Sequence, residues 1–328
     1  MQTNDVYEEF AGPGGWDEGL ALLNSSAHIV AGVDISNDAC TTATTAGHKR
    51  LCADVRSIDL DELGRNIGGH ISSPPCQTFS QMGNGRGRAS LSALADAAAV
   101  VLHGANTDEA LERYGLDERS ALVLRPLVVA RALKPQWIAL EQVPHVQALW
   151  NVYAVLLRSV GYRVATGQVH AEQFGVPQTR KRAVLLAHAT HSVSLPQPTH
   201  SAYYWRSPDK RDPWVKPWLS MGDALGPSWT PTFRDQSGTT YDPEWPWKRP
   251  ATAIAGRGLV QNPGETANRF NSSTKSRNDG VRISVEEAAV LQSFRRDYPF
   301  AGSQSSQFQQ VGDAIPPLLA AALLRQVI

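Results

Sequence analysis

The sequence predicts an α/β fold built on a doubly wound sheet, with a smaller, loop-rich second domain. Three observations predict it. Over residues 1–188, short apolar runs alternate with helix-like stretches, the pattern of successive strand–helix units. Acids, glycines or a cysteine follow the ends of those runs, where open α/β sheets bind ligands. From about residue 190 the composition shifts: residues 190–280 hold 11 of the 21 prolines and six of the nine tryptophans, a turn-rich chain with little helical periodicity.

In chain order, Asp5 to Phe10 is a first strand of unusual polarity. It runs into the glycine turn Phe10-Ala11-Gly12-Pro13-Gly14-Gly15, which leads into a helix. His28 to Val33 reads as a strand ending at Asp34, and Cys52-Ala53-Asp54-Val55 closes the next one. His70-Ile71-Ser72 is a brief strand ahead of Ser73-Pro74-Pro75-Cys76. Residues 84–115 interrupt the alternation with the basic loop Asn84-Gly85-Arg86-Gly87-Arg88 and an alanine-rich helix, Leu91 to Leu102. Helical spacing recurs over Leu122–Leu133 and Val146–Val160, and strands over Trp137–Leu140, ending at Glu141, and Ala183–Ala187. Pro316 to Ile328 is an apolar helix that needs the first domain to pack on. The expected division is a catalytic domain at 1–188, a small domain at 189–300, and a segment at 301–328 that packs back on the catalytic domain.

Composition narrows the function classes. With 328 residues, 42% hydrophobic and 19% charged, the chain is long enough for a substantial core. Lys+Arg and Asp+Glu both number 31, so net charge gives no support for a nucleic-acid partner, although a basic face balanced elsewhere is compatible with one. Cys40, Cys52 and Cys76 are too few and too widely spaced for a disulfide framework or a four-cysteine zinc site, and no metal is expected. A cytoplasmic monomer follows as the simplest expectation: the first residues lack a signal peptide, and no stretch approaches the roughly 20 apolar residues of a membrane span.

The residues at the strand ends suggest a nucleoside site. A glycine turn lets a ligand approach the backbone; Asp34 is placed to accept from ribose hydroxyls, and Asp54 from an adenine amino group. The prolines before Cys76 set its thiol on a stiff turn, and a neighbouring charge could make that thiol a nucleophile. Read singly, these features have plainer meanings: an inert buried thiol, a structural glycine turn, and acids that cap helices.

Taken in order, glycine turn, acid, acid and Pro-Cys, the chain resembles the DNA (cytosine-5)-methyltransferase family of bacteria and phages. Glu141-Gln142-Val143 is similar to its Glu-Asn-Val motif, and Gln178-Thr179-Arg180-Lys181-Arg182 matches its Gln-x-Arg-x-Arg motif. Arg249-Pro250-Ala251-Thr252, Arg282 to Phe294 (with Glu287 and Leu291-Gln292-Ser293-Phe294) and Gln310 to Pro317 resemble its later blocks. The resemblance implies a Rossmann-like S-adenosylmethionine-dependent methyltransferase sheet with a target-recognition domain. Phe10, Gly12, Gly14, Gly15, Asp34, Asp54, Val55, Pro75 and Asp313 would surround S-adenosyl-L-methionine. Cys76 would attack C6 of a flipped cytosine, Glu141 would hydrogen-bond N3, Arg182 would contact O2, and Arg180 would order the Cys76 loop. Gln81, Arg86, Arg88, Gln178 and Arg257 would meet double-stranded DNA. A cognate restriction endonuclease is one partner the resemblance allows, and a bacterial or phage-infected cell its compartment.

The chain departs from the family pattern at Glu9, where an apolar residue is usual, at Asp34 for glutamate, at Gln142 for asparagine and at Asp313 for asparagine. Alternatives are cytosine-5 methylation of transfer RNA and a DNA-binding homologue impaired in catalysis. Methylation of an exocyclic amine fits less well, because it has no use for Cys76 or for the Gln-x-Arg-x-Arg block.

Overall fold

Strand β1 (Asp5–Glu9) is an inner strand of a seven-stranded sheet with β2 (His28–Asp34), β3 (Arg50–Cys52), β4 (Gly69–Ser72), β5 (Trp137–Gln142), β6 (Arg163–His170) and, beyond the two-residue β7 (Gln178–Thr179), β8 (Lys181–His188). The strand order is β3-β2-β1-β4-β5-β8-β6. The first five of these run parallel, and β8 is inserted antiparallel between β5 and β6. This computed structural model describes residues 4–64, 66–75, 87–234, 244–256, 258–260 and 280–328, with the side chains at 87–90, 119–121 and 233–234 excepted.

The sheet is covered on both faces, so β5 and β8 are mostly apolar on both sides. Alternate residues of β5 and β8 divide between two cores: Ile138, Leu140 and Leu185 face one, Trp137, Ala139, Val184 and Leu186 the other. The first core is filled by α3 (Gly87–Leu102), α4 (Thr107–Arg113), α5 (Glu118–Leu133) and α6 (Gln147–Ser159). Leu94, Ala97, Ala98 and Val101 are fully packed there, so the insertion of residues 84–115 contributes a core layer. Helix α1 (Gly15–Ala21) covers the opposite face, and α2 (Asn37–Thr45) follows β2.

The small domain holds α7 (Met221–Leu225), α8 (Trp245–Lys248), α9 (Val285–Leu291) and a sheet of β11 (Leu259–Val260), β12 (Gly280–Arg282) and β9 (Thr232–Arg234), while β10 (Ala251–Thr252) pairs with β7. Trp229 and Trp245 lie in its core and Trp218 is buried edge-on against Tyr203, as expected where aliphatic residues are few. The segment 301–328 divides in two. Phe308 and Val311 of α10 (Gln304–Asp313) join the small-domain core, whereas Leu319, Leu323 and Leu324 of α11 (Pro317–Leu324) pack beneath the main sheet. Val193 and Leu195 also pack on the sheet, so packing against it continues past residue 188. No helix among the described residues is long and apolar enough to cross a membrane.

The polarity of β1 has a structural answer. Glu9 is fully buried and its Oε1 accepts from Arg125 Nε of α5 at 2.7 Å and from the Tyr7 hydroxyl at 3.1 Å; His70 Nε2 stands 3.8 Å from its Oε2. Burial outweighs Arg125 and lifts the Glu9 carboxyl to about 7, while burial also lowers the His70 imidazole to about 3. The native Glu9 therefore holds its proton more tightly than the unfolded chain does, and stability from this group falls as pH rises from the ordinary 4.5 through about 7. Glu9→Gln removes that dependence. The stability of the wild type relative to the variant is expected to decline over this window by at most about 3 kcal/mol, measured by urea unfolding at a series of pH values; a constant difference would refute it.

Candidate active site

The parallel strands end on one edge, and the antiparallel β8 begins there, since Gln142 pairs with Ala183. At the end of β1, Phe10 takes a left-handed backbone (φ 56°) and packs against the core of Tyr7, Val33 and Val55. Non-glycine residues held in that region cluster at ligand sites. Gly12 follows at φ 55°, with open space where a Cβ would stand. Its amide donates to Asp34 Oδ2 at 2.8 Å, and the Ser36 amide donates to Oδ1 at 2.8 Å. The acid at the second strand end is thus fixed beside the turn.

The other two glycines serve close packing. A Cβ on Gly14 would stand 2.5 Å from the Tyr298 hydroxyl, which donates to the Pro13 carbonyl at 2.5 Å. A Cβ on Gly15 would stand 2.3 Å from the Ile315 carbonyl. The turn is therefore closed from the small domain by Tyr298 and from the C-terminal segment by Ile315. Underneath, Arg50 donates to the Ala11 and Gly12 carbonyls at 3.3 and 3.2 Å and to Asp17 at 2.5 Å. Glu8 lies 3.8 Å from the same guanidinium, and burial, with Asp17 beside it, pushes its carboxyl well above the usual range.

At the third strand end, Asp54 accepts from Arg56: its amide at 2.9 Å and its guanidinium Nη2 at 2.7 Å. Those bonds hold the carboxyl below its ordinary range. The pair is partly solvated, so a ligand amine competes with a weak partner. Val55 is buried in the core beneath, its side chain supporting the Asp54 turn.

On the other half of the edge, the segment after β4 is tied from two sides. The Trp16 indole donates to Ser73 Oγ at 3.1 Å, and the Gln142 side-chain amide donates to the Pro74 carbonyl at 2.5 Å. The Gln142 carbonyl in turn accepts from the Val143 amide. Where the family has asparagine, glutamine here clamps the strand end to the Pro-Pro turn. Neither Trp16 nor Gln142 stands out in the sequence as a brace, because each partner is more than 50 residues away. Pro75 is half-buried at the end of this stem.

Glu141 and Arg182 meet across β5 and β8: Arg182 Nε donates to Glu141 Oε1 at 2.7 Å, with Glu141 only 4% exposed. Arg182 Nη1 donates to the Lys181 carbonyl at 2.8 Å. The arrangement offers an acidic oxygen and a guanidinium side by side at the rim, suited to a planar ring carrying both a nitrogen and a carbonyl.

Two residues of the same motif turn inward. Gln178 has no exposed surface; its amide donates to the Leu291 carbonyl at 3.1 Å and to Gln292 Oε1 at 2.5 Å, and its carbonyl accepts from the Ile254 amide at 3.0 Å. This corrects the expectation of a DNA contact: every polar atom of that side chain is spent on joining β7 to the small domain. Arg180 is equally buried, donating to the carbonyls of Ile254 at 3.3 Å, Gly312 at 2.5 Å and Ala314 at 3.3 Å. Burial and Arg182 draw its guanidinium down to about 9, still charged at neutral pH. Among the described residues it orders the junction of α10 and α11. Asp313 ends α10, exposed, and accepts from Gln309 Nε2 at 2.6 Å; it lies two residues before Ile315, the neighbour of Gly15. Cys76, Gln81, Arg86 and Arg257 lie outside the described residues, as does the side chain of Arg88. Among the described residues no cluster of His, Cys, Asp and Glu is arranged to hold a metal ion.

The family model described as C-5 cytosine-specific DNA methylase matches residues 5–101, 112–217 and 227–328. The chain is 25% identical to Type II methyltransferase M1.HphI of Haemophilus parahaemolyticus, over 97% of this chain and 85% of that one. It is 26% identical to Type II methyltransferase M.AplI of Arthrospira platensis, over 98% and 85%. Among solved structures it shares its fold with S. pombe Dnmt2 methyltransferase, at a TM-score of 0.64 and 19% identity over 98% of this chain and 97% of that one. A putative DNA modification methyltransferase encoded within an E. coli prophage gives a TM-score of 0.57 at 18% identity, over 98% and 97%.

Proposed function

Because the chain belongs to the C-5 cytosine-specific DNA methylase family, we propose that it methylates carbon 5 of a cytosine within a specific sequence of double-stranded DNA. The family takes the methyl group from S-adenosylmethionine. The observation that carries the reading is the convergence on one sheet edge of the open Gly12–Asp34 turn, the tethered Pro74–Pro75 stem of Cys76 and the Glu141–Arg182 pair.

The chain's own residues then divide the work. The target base leaves the stack, because neither face of its ring is accessible in a duplex. The Cys76 thiolate adds to C6, with Arg182 beside O2 and Glu141 at N3 receiving the charge that the ring gains. Carbon 5, made nucleophilic by that addition, would take the methyl group from the donor's sulfonium, the S–CH3 bond breaking as C5–CH3 forms and a neutral thioether leaving. Loss of the C5 proton to a base then expels the thiolate and restores the ring. Phe10, Gly12, Asp34, Asp54 and Pro75 hold the donor, and Gly14, Gly15 and Val55 shape its site. The small domain within 189–300 reads the sequence. The Type II titles of the relatives suggest a cognate endonuclease as a partner in the cell.

Asp313 sits at the end of a helix, where a negative charge is disfavoured, and near the turn that would carry the donor's amino-acid end. Asp313→Asn is expected to tighten S-adenosylmethionine binding by about fivefold through relief of carboxylate repulsion, read by titration calorimetry; unchanged affinity would remove that role. The reaction itself is tested by bisulfite sequencing of DNA from cells expressing the protein, with parallel assays of duplex DNA and RNA using labelled donor. Protected cytosines recurring in one short DNA sequence support the reading. Label confined to RNA, or no protected cytosine, overturns it.

A further inference from the structure

The segment 199–218 stands out from the rest of the small domain as a closed loop that buries Tyr203 and Trp218 but exposes Trp205 and Trp214. Its base is laced twice: the Ser201 amide donates to the Lys216 carbonyl at 2.7 Å, and the Lys216 amide to the Thr199 carbonyl at 3.0 Å. Inside, Asp212 is a knot, accepting from the Ala202 amide at 2.8 Å and from the Tyr204 hydroxyl at 2.6 Å, while its own amide donates to Ser201 Oγ at 2.8 Å. A loop tied in this way presents its tip with little ordering entropy left to lose.

What it presents is a cationic, aromatic ridge. Trp214 is 99% exposed and Trp205 43%, and Trp214 is held at φ 73°, a strained backbone for so large a residue. Arg206 stacks over Trp205 at 4.6 Å, Lys210 over Tyr204 at 4.1 Å and Arg211 over Trp218 at 4.2 Å. With Lys216, the loop carries four cations against two carboxylates, Asp209 and Asp212, and the second of these is turned into the knot. The placement is also specific. The Thr199 and His200 amides donate to the Gln173 carbonyl at 2.9 and 3.0 Å, in the turn after β6, whose last residue His170 pairs with Lys181 next to Arg182. The stem of the ridge is therefore rooted at the edge that carries Glu141 and Arg182.

We propose that this ridge is a DNA contact separate from the base pocket: Trp214 packs against sugars of the duplex backbone, and Arg206, Lys210, Arg211 and Lys216 meet phosphates. A bare indole ringed by cations matches a polyanion whose backbone alternates charged phosphates with apolar sugar surface. An apolar protein partner would leave the four charges unmatched. The proposal rests on duplex DNA being the substrate.

The test compares wild type, Trp214→Ala, Trp214→Phe and Arg206→Ala in steady-state methylation of bacterial genomic DNA with labelled S-adenosylmethionine. Trp214→Ala is expected to raise KM for DNA about tenfold, the loss of one apolar contact, with kcat and the KM for the donor unchanged. Trp214→Phe should recover most of the loss. Arg206→Ala should make the salt dependence of DNA binding shallower by about one phosphate contact. A KM for DNA in Trp214→Ala equal to that of the active wild type overturns the ridge and leaves the methyltransferase reading standing. So does a change of sedimentation behaviour in Trp214→Ala without a change in KM, which would assign the surface to self-association. A wild type that methylates RNA and no duplex DNA overturns the functional reading, and the ridge with it.

Discussion

Cys76→Ala is expected to abolish methyl transfer while leaving S-adenosylmethionine binding and DNA affinity near wild-type values. Carbon 5 of cytosine is too weak a nucleophile to attack a sulfonium unaided, and no other side chain proposed for the site can add to C6. The variant removes the thiol but not its mounting. Ser73 remains bonded to Trp16 and the Pro74 carbonyl to Gln142, so donor and DNA should still be received. The same assay with duplex containing 5-fluorocytosine separates nucleophile from bystander: fluorine at C5 cannot leave as a cation, and the wild type should be trapped as a covalent adduct. Residual turnover in Cys76→Ala within about a hundredfold of wild type, or an adduct that persists in it, would exclude Cys76 as the attacking group.

Glu141→Gln is the second large effect. Glutamine preserves volume and can still accept from Arg182 Nε, so the geometry of the pair survives. It cannot deliver or share a proton with N3. The charge that accumulates on the ring as Cys76 adds is then stabilised by Arg182 alone. A positioned acid–base group contributes about 10²–10⁴-fold, and kcat should fall by that order with KM for DNA little changed. A matching rise in KM with kcat intact would make Glu141 a binding residue only. Wild-type kinetics in the variant would remove it from the chemistry.

Much of the sheet is readable in the chain because several of its strands are mostly apolar. His28 to Asp34, Trp137 to Gln142 and the body of Lys181–His188 announce themselves as short hydrophobic runs. β6 does not: it is an edge strand, Arg163 to His170, whose residues are mostly half-exposed, with Val169 alone fully buried, so no apolar run marks it. The site shows the same division. Glycines at a turn and acids at strand ends are local signals. Burial of Gln178 and Arg180 is not local, since it depends on Ile254, Leu291 and Gly312, more than 70 residues away. Glu9 looks like a misplaced polar residue until Arg125, on a distant helix, is seen against it. The tryptophans of the small domain could not be sorted by composition. Trp218, Trp229 and Trp245 are core, while Trp205 and Trp214 face solvent.

The packing of the last helix against the first has a bearing on how the protein comes into being. Gly19 of α1 leaves no room for a side chain between itself and α11, where a Cβ would stand 2.5 Å from Ala320 Cβ and 2.9 Å from the Pro317 carbonyl. Gly15 is in the same position against Ile315. During translation α1 emerges among the first elements and α11 among the last, although chains otherwise tend to fold from the N-terminus onward. The glycine turn must therefore wait, its supporting wall unmade, until α11 has left the ribosome. A nascent chain can build most of its sheet early, but it can complete the proposed donor site only when synthesis has passed α11, so competence would arrive at once rather than by degrees.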